Sequence, residues 1–109
     1  MLSSCAHPDP WTKRDTALQL IATATIIGDA ITTERIQDVP NVYEAGPIAK
    51  EFLGPQPSTK DTIIYFSCAI VFSWLAARLL PAKWRPYWQG WEIAAHSYAI
   101  KNNCDNGLC

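Results

Sequence analysis

A glutamate and a histidine four residues apart, Glu92 and His96, are the pair whose types and spacing could most directly do chemistry. On a helix this spacing brings both side chains to one face, as at helical metal sites where neighbouring side chains share one ion. The same spacing also suits an ordinary hydrogen bond between successive helical turns. The pair therefore predicts either a shared ionic site or a local stabilising contact.

A second acid lies in an apolar segment with threonines on the same face. Asp29, Thr32 and Thr33 follow one another at helical spacing. Such a stripe suits hydrogen bonding to a neighbouring helix inside a membrane, where ionisable side chains are costly and often functional. The alternative is that Asp29 ends its helix near the membrane surface.

A turn between the two apolar segments could add a further acid to this site. Tyr43 and Glu44 come just before Gly46 and Pro47, which favour a turn. Adjacent acids need a proton, a cation or a protonated histidine between them. The polar-site candidates are therefore Asp29, Thr32, Thr33, Tyr43, Glu44, Glu92 and His96. We predict no catalytic residue, metal ligand or cofactor, since no nucleophile–base, phosphate-loop or HExxH motif accompanies them.

The four cysteines lie in different settings. Cys68 lies in an apolar run, which predicts a small buried side chain. Cys104 and Cys109 close the segment CDNGLC and are disulfide candidates, with two free thiols in a frayed tail as the alternative. Cys5 ends Leu-Ser-Ser-Cys, which has the form of a bacterial lipobox, so it is a lipidation candidate. Only four residues precede it, whereas export needs a basic and an apolar region upstream.

The elements that must position these residues form one all-α domain, a small bundle of about three helices. Residues 16–33 carry one charge and residues 62–77 carry none, close to the ~20 apolar residues that span a bilayer. For the second of these segments, the alternative is a buried helix of a soluble bundle. A third, amphipathic helix follows near the C-terminus. The predicted ranges are an extended segment 1–11, helices 12–33, 59–80 and 87–103, a connector 34–58 and a tail 104–109.

Local signals define the ends of these helices. Thr12 and Asp15 fit a capping box, and Ser58 or Thr59 fits the cap of the second apolar helix. Pro81 stops that helix. The connector is rich in proline and glycine, which excludes a long helix there, although IAKEFLG predicts a short helical turn closed by Gly54.

Charge and composition restrict the partners. The net charge is -1, and the nine basic residues are scattered, so no nucleic-acid partner is predicted. Five Trp and four Tyr suit a membrane interface, although the mean hydropathy of -0.03 is low for a chain lying mostly in lipid. The predicted partner is the lipid bilayer. Orientation stays open, because the positive-inside rule puts both ends of a two-span chain in the cytoplasm, whereas a lipid on Cys5 would put the start outside.

Several short segments, taken in order, resemble one family pattern. They are DPWTKRDTALQ, Asp29 with Thr32 and Thr33, Tyr43 to Ile48, Leu53-Gly54 with Pro57-Ser58, and Tyr65-Phe66. The set resembles a group of small, uncharacterised phage and prophage membrane proteins, often lipoprotein-like, with a Tyr-Glu-Thr-Asn-Pro-Ile-Leu-Gly motif. The resemblance covers roughly residues 11–103. Gly46 stands at the group's asparagine, Gln56 at its histidine, and AKEF separates Ile48 from Leu53.

The resemblance implies a small integral membrane protein of phage type that acts by interaction in the envelope of its bacterial host. One alternative is a structural subunit of a larger assembly, either a virion or a membrane complex, with a homo-oligomer as a further form of association. A second alternative is a metal-dependent membrane enzyme, built on the acids and His96. The expected location is the bacterial cell membrane.

Overall fold

Four α-helices make up most of the described chain. The computed structural model describes residues 6–39 and 47–109. The helices are α1 (Lys13–Glu34), α2 (Pro47–Leu53), α3 (Thr59–Leu79) and α4 (Arg85–Asp105), and a 3-10 turn (Arg35–Asp38) follows α1. The all-α class is confirmed within these residues. The helix count was slightly low, because α2 is a separate helix inside the segment predicted as a connector.

The ends of α1 and α3 follow from local hydrogen bonds. Thr12 Oγ1 accepts the backbone N–H of Asp15 at 3.2 Å, and Asp15 Oδ2 accepts that of Thr12 at 3.0 Å. This capping box pairs backbone donors that have no partner within the first turn. Ser58 Oγ accepts the N–H of Asp61 at 3.1 Å and begins α3 in the same way. Pro81 follows the end of α3, where it cannot continue a helix.

The short helix α2 forms because its two ends suit a helix. Pro47 occupies the first position, where its missing N–H has no intrahelical partner to lose. Gly54 closes the helix with φ +78° and donates its N–H to Lys50 O at 2.9 Å, as a C-terminal glycine does. Leu53 then packs with Ile26 and Phe66 in the main apolar cluster. The sequence predicted only a turn here, since seven residues give little periodic signal.

Helix α1 lies at the centre, with α4 parallel to it and α3 antiparallel. Along α1 and α4 the paired residues advance together, from Asp15 with Arg85 to Asp29 with His96. Along α3 the order reverses. Gln19, early in α1, is hydrogen-bonded to Ser73, late in α3, whereas Glu34, at the end of α1, is hydrogen-bonded to Thr59, at the start of α3. We call the end where α1 and α4 begin the Trp11 end, and the end where they finish the Cys104 end.

The interior of this bundle contains many polar side chains, and the long helices turn large apolar side chains outward. The polar and charged side chains that are buried are Asp15, Gln19, Asp29, Thr32, Thr33, Thr62, Ser73, Arg85, Gln89, Glu92 and Asn103. On α1 and α3 the large apolar side chains that are exposed are Leu20, Ile21, Ile27, Ile31, Ile63, Ile64, Val71, Phe72 and Leu79. Cys68, predicted to be buried, is exposed as well, because α3 turns most of its apolar surface outward.

Two stretches of the chain are long and apolar enough to cross a membrane, Lys13–Asp38 and Thr59–Leu79. Core helices of soluble proteins can meet the same criterion, but they are mostly buried. Here the most apolar windows of the two stretches are only 33% and 22% buried. This low burial leaves most of the apolar surface of both helices without cover from the described part of the chain.

The C-terminal residues fold back instead of fraying. Cys104, in the last turn of α4, forms a disulfide with Cys109, and their Cα atoms are 4.7 Å apart. Gly107 allows the reversal with φ +85°. Leu108 is buried, and its carbonyl accepts a hydrogen bond from Arg35 Nη1 at 2.9 Å. The tail predicted for residues 104–109 is therefore tied to the end of α1.

Candidate functional site

His96 of α4 lies between two carboxylates inside the bundle. Its Nδ1 is 2.7 Å from Asp29 Oδ2, and its Nε2 is 3.2 Å from Glu92 Oε2. The side chains keep only 19% exposure for His96, 11% for Asp29 and 7% for Glu92. An imidazole can donate from both nitrogens only when it is protonated. The arrangement therefore suits an imidazolium that compensates one of two buried negative charges.

Hydroxyl and amide groups extend this site toward the Cys104 end. Thr33 Oγ1 donates to Asp29 Oδ1 at 3.0 Å. Asn103 Nδ2 donates to Thr32 Oγ1 at 2.8 Å and to Thr33 Oγ1 at 3.3 Å. A continuous chain of hydrogen bonds thus joins α1 to α4. We call the group the His96 cluster; its members are Asp29, Thr32, Thr33, Glu92, His96 and Asn103.

The structure brings together five of the seven residues that the sequence suggested as a polar site. They are Asp29, Thr32, Thr33, Glu92 and His96. Asp29 does not end its helix at a surface but contacts α4 from inside α1. The other two, Tyr43 and Glu44, lie outside the described residues, as does the lipidation candidate Cys5. Asn103 was missed as a site residue, although it follows His96 by seven residues and so shares its face.

The geometry around His96 does not surround one central point. The two ring nitrogens face in different directions, so the ring separates the two carboxylates instead of joining them around a common ion. Within residues 6–39 and 47–109, no group of three or more His, Cys, Asp or Glu side chains could hold a metal ion. The described part of the chain therefore offers no ligand set for the metal-dependent alternative.

A second polar cluster lies at the Trp11 end, around Arg85. This side chain is 1% exposed, and its Nη1 is 3.1 Å from Asp15 Oδ2. Its other donors reach backbone carbonyls, all at 2.9 to 3.2 Å; the acceptors are Asp9 O, Pro10 O, Ala77 O and Leu80 O. Arg85 thus joins the chain start, the end of α3 and the start of α4.

Amides and a hydroxyl continue this second cluster across all three long helices. Gln19 Nε2 donates to Ser73 Oγ at 2.8 Å. Gln89 Nε2 donates to Gln19 Oε1 at 3.2 Å and to the carbonyl of Asp15 at 2.9 Å. Asp15 Oδ1 and Gln89 Oε1 have no hydrogen-bond partner among the described residues. We call the group the Arg85 cluster; its members are Asp15, Gln19, Ser73, Arg85 and Gln89.

The Arg85 cluster was not predicted from the sequence, because Asp15 and Arg85 each have a sufficient local explanation. Asp15 was assigned to a helix cap, which it does form. Arg85 lies in the segment AKWRPYWQGW, whose mixture of cations and aromatic residues is typical of a membrane interface. The signal that could have found the cluster is a repeated spacing of four and three residues on two helices. On α1 it runs through Asp15, Gln19, Ala22, Ile26, Asp29 and Thr33, and on α4 through Arg85, Gln89, Glu92, His96 and Asn103.

Aromatic rings and cations surround the Arg85 cluster at the Trp11 end. The Arg78 guanidinium carbon lies 4.2 Å from the centre of the Trp11 ring, and that of Arg85 lies 5.2 Å away. The Trp11 and Trp74 rings stack with centres 6.4 Å apart. Cations beside aromatic faces are attracted by the ring quadrupole, and such mixed groups are typical of the membrane–water boundary.

No protein-family model, curated protein or solved structure matches the chain. Both clusters join helices to one another through donors and acceptors that are largely satisfied. Chemically, they can fix the helix arrangement and hold a proton on His96.

Proposed function

We propose that this chain is a small integral membrane protein of phage type, which acts by interaction in the bacterial envelope. In this proposal α1 and α3 cross the bilayer. The observation that supports it most is the distribution of side chains. Polar side chains are buried between the helices, and large apolar side chains are exposed on their outer faces. Water would make that surface unfavourable, whereas lipid would cover it without cost.

The dimensions of the helices agree with this proposal. Helix α3 has 21 residues, which rise about 31 Å, and the hydrocarbon layer is about 30 Å thick. Residues 62–77 carry no charge, and the single acid within residues 16–33, Asp29, faces His96 instead of the outside. Within residues 16–33 and 62–77, therefore, no charged side chain would face lipid.

The two polar clusters have a clear part in such a protein. In lipid, apolar side chains gain nothing by leaving their solvent, so helices associate through close packing and polar contacts. The His96 cluster and the Arg85 cluster join α1 to α4 near the two ends of the pair, and the Arg85 cluster includes α3 as well. Action by interaction is proposed because the hydroxyl of Thr33, which donates to the Asp29 carboxylate, is fully buried between the helices, where no substrate can reach it.

The phage and envelope parts of the proposal rest on the resemblance of the ordered motifs. The segments that carry it in the described residues include Asp29 with its threonines and Tyr65-Phe66. Asp29 and Thr33 now have a role in that pattern, because they bond to one another and face α4. Polar contacts of this kind are among the interactions that hold helices together in lipid.

Fractionation of cells that express the full chain tests the membrane assignment. We expect the protein to stay in the membrane pellet after washes with high salt and with alkaline carbonate, and to leave it only with detergent. Release by either wash would mean a peripheral protein, and recovery in the first soluble fraction would contradict the proposal outright. A known peripheral and a known integral protein of the same cells serve as controls.

A second candidate is a structural subunit of a larger assembly. It is favoured by the same exposed side chains, such as Ile27 and Val71, if protein covers them instead of lipid. Gel filtration of the detergent-solubilised protein, with mass determination, separates the two cases. Co-purification with other chains at a fixed ratio supports the subunit, whereas a chain surrounded by detergent alone supports the first proposal.

A further inference from the structure

We infer that α4 is a third membrane-spanning helix whose outward face contacts lipid. The chain would then cross the bilayer three times, with residues 6–12 on the cytoplasmic side and the Cys104–Cys109 loop on the opposite side. The inference rests on the proposed function in one respect, since it takes α1 as a spanning helix. It concerns a helix whose composition alone does not mark it as a span.

The first argument is that α4 follows α1 over its whole length. Hydrogen bonds join the two helices at successive levels, which pair Arg85 with Asp15, Gln89 with Gln19, His96 with Asp29, and Asn103 with Thr32. At the far end Arg35 reaches the carbonyl of Leu108. A helix attached to α1 at each of these levels lies at the same depths as α1. It cannot lie flat on the membrane surface while α1 crosses.

The second argument is the character of the side chains that α4 turns outward. Between residues 86 and 100 the exposed ones are all uncharged: Tyr87, Gly90, Trp91, Ala94, Ser97 and Tyr98. The charges of α4 lie elsewhere. Arg85 and Glu92 are buried against the bundle, and Lys101 pairs with Asp105 in the last turns, at 2.7 Å. The polar residues that lower the apolarity of α4 therefore face α1, and the outer surface suits lipid.

The third argument concerns the aromatic residues near the start of α4. Trp84, Tyr87 and Trp91 are exposed large side chains at the Trp11 end, and the Lys83 ammonium lies 5.6 Å from the centre of the Trp84 ring. Tryptophan and tyrosine concentrate at the depth of the lipid headgroups. Their position here places the Trp11 end of α4 at a bilayer boundary, the same end at which α1 begins.

The disulfide gives the orientation. Disulfides persist in oxidising compartments and are rare in the cytosol, so the Cys104–Cys109 loop belongs on the outer side of the cell membrane. The distribution of Lys and Arg, which is what the positive-inside rule counts, leans the same way. The Trp11 end carries five of them and the Cys104 end four; the five are Lys13, Arg14, Arg78, Lys83 and Arg85, and the four are Arg35, Lys50, Lys60 and Lys101.

This topology is incompatible with a lipid anchor on Cys5. Such an anchor on the outer face would hold the start of the chain outside, whereas the disulfide and the basic residues put residues 6–12 inside. We therefore expect Cys5 to carry no lipid. Intact-mass measurement of the purified protein decides this point, because an acyl modification of Cys5 would overturn the proposed orientation.

Site-directed labelling of the full chain tests the number of spans. In a chain whose four native cysteines are replaced by serine, single cysteines are placed by Ala6→Cys, Lys83→Cys, Lys60→Cys and Asn106→Cys. A maleimide that cannot cross membranes is applied to spheroplasts and, separately, to inverted vesicles. Lys60, in the first turn of α3, and Asn106, just after α4, mark the Cys104 end. Ala6 and Lys83, which lie outside the helices, mark the Trp11 end.

If the chain crosses the membrane three times in this orientation, the cysteines at positions 60 and 106 react with the maleimide in spheroplasts. Those at positions 6 and 83 then react only in inverted vesicles. Reaction of 106 together with 83 would overturn the third span, while the protein would still behave as a membrane protein. Reaction of 6 and 83 from outside would overturn the orientation. If the chain is not a membrane protein at all, the result is different, because it would then be recovered in the soluble fraction before any labelling.

Discussion

At the scale of the residue, Arg85 makes more hydrogen bonds than any other cation in the described part of the chain. It satisfies one carboxylate and four backbone carbonyls from a position that is 1% exposed. A guanidinium has five N–H donors in a fixed plane, whereas an ammonium has three on one atom. The position therefore requires arginine and not merely a positive charge.

We predict that Arg85→Lys lowers the stability of the bundle although it keeps the charge. At least two buried carbonyls would lose their donors, and each such loss costs about 1–3 kcal/mol. Unfolding in mixed micelles with increasing denaturing detergent, followed by circular dichroism, measures the change. Lys83→Arg, a change at an exposed neighbour, is the matched control and should leave the midpoint in place. Equal midpoints for Arg85→Lys and the parent chain would show that the carbonyl contacts contribute nothing.

A second prediction concerns the charge of the His96 cluster. His96→Leu removes the partner of two buried carboxylates, and breaking a buried ion pair from one side costs about 3–5 kcal/mol. We expect the lower part of that range, because the His96 side chain keeps 19% exposure. In the triple variant Asp29→Asn, His96→Leu and Glu92→Gln no unpaired charge remains, so most of the loss should be recovered. If the triple variant is as unstable as His96→Leu, packing and not charge explains the role of His96.

At the scale of the element, the ends of the helices could be predicted, but their pairing could not. Thr12, Ser58, Gly54 and Pro81 act within a few residues along the chain, so a sequence shows them directly. The helix ranges 12–33, 59–80 and 87–103 accordingly differ by no more than two residues from α1, α3 and α4. Contacts such as that of Arg85 with Asp15 join residues 70 positions apart. No local pattern specifies such a partner.

The outward faces of α3 and α4 give a prediction about charge in lipid. Val71→Lys and Ala94→Lys place an ammonium at the exposed middle of each helix, where membrane insertion is opposed by about 3 kcal/mol. Both should reduce the membrane-inserted fraction, which carbonate extraction measures. Asn106→Lys, beyond the end of α4, is the control and should insert normally. Normal insertion of Ala94→Lys alone would take α4 out of the lipid while leaving α3 in it.

The disulfide at the end of α4 gives a prediction about redox compartment and stability. In intact cells Cys104 and Cys109 should resist alkylation until a reductant is added, which mass spectrometry of trapped protein detects. Closing so short a loop contributes about 2 kcal/mol by chain entropy, so reduction should lower the unfolding midpoint modestly. Cys68 is a free and exposed thiol and serves as the internal control for reagent access in membranes opened with detergent. Alkylation of Cys104 without reductant would place this end in a reducing compartment.

At the scale of the whole molecule, the distribution of polar and apolar side chains suits lipid better than water. A chain of 109 residues has a small core at best, and here polar groups occupy much of the interior. In water, the exposed isoleucines and phenylalanines would favour association or a rearranged fold. In lipid, the same surface is solvated and the polar interior supplies the helix contacts. The low mean hydropathy of the chain therefore includes the polar groups of this interior as well as the charged ends of the helices.

The most direct test of this account is the environment of the outer faces in the reconstituted protein. Spin labels would be attached one at a time after Ile27→Cys, Val71→Cys and Ala94→Cys, with Lys60→Cys as the aqueous reference, in a chain otherwise free of cysteine. Collision of each label with oxygen, which concentrates in lipid, is compared with collision with a water-soluble nickel chelate. The account predicts frequent oxygen and rare nickel collisions at positions 27, 71 and 94, and the reverse at 60. Nickel collision at 27 and 71 as frequent as at 60 would contradict it.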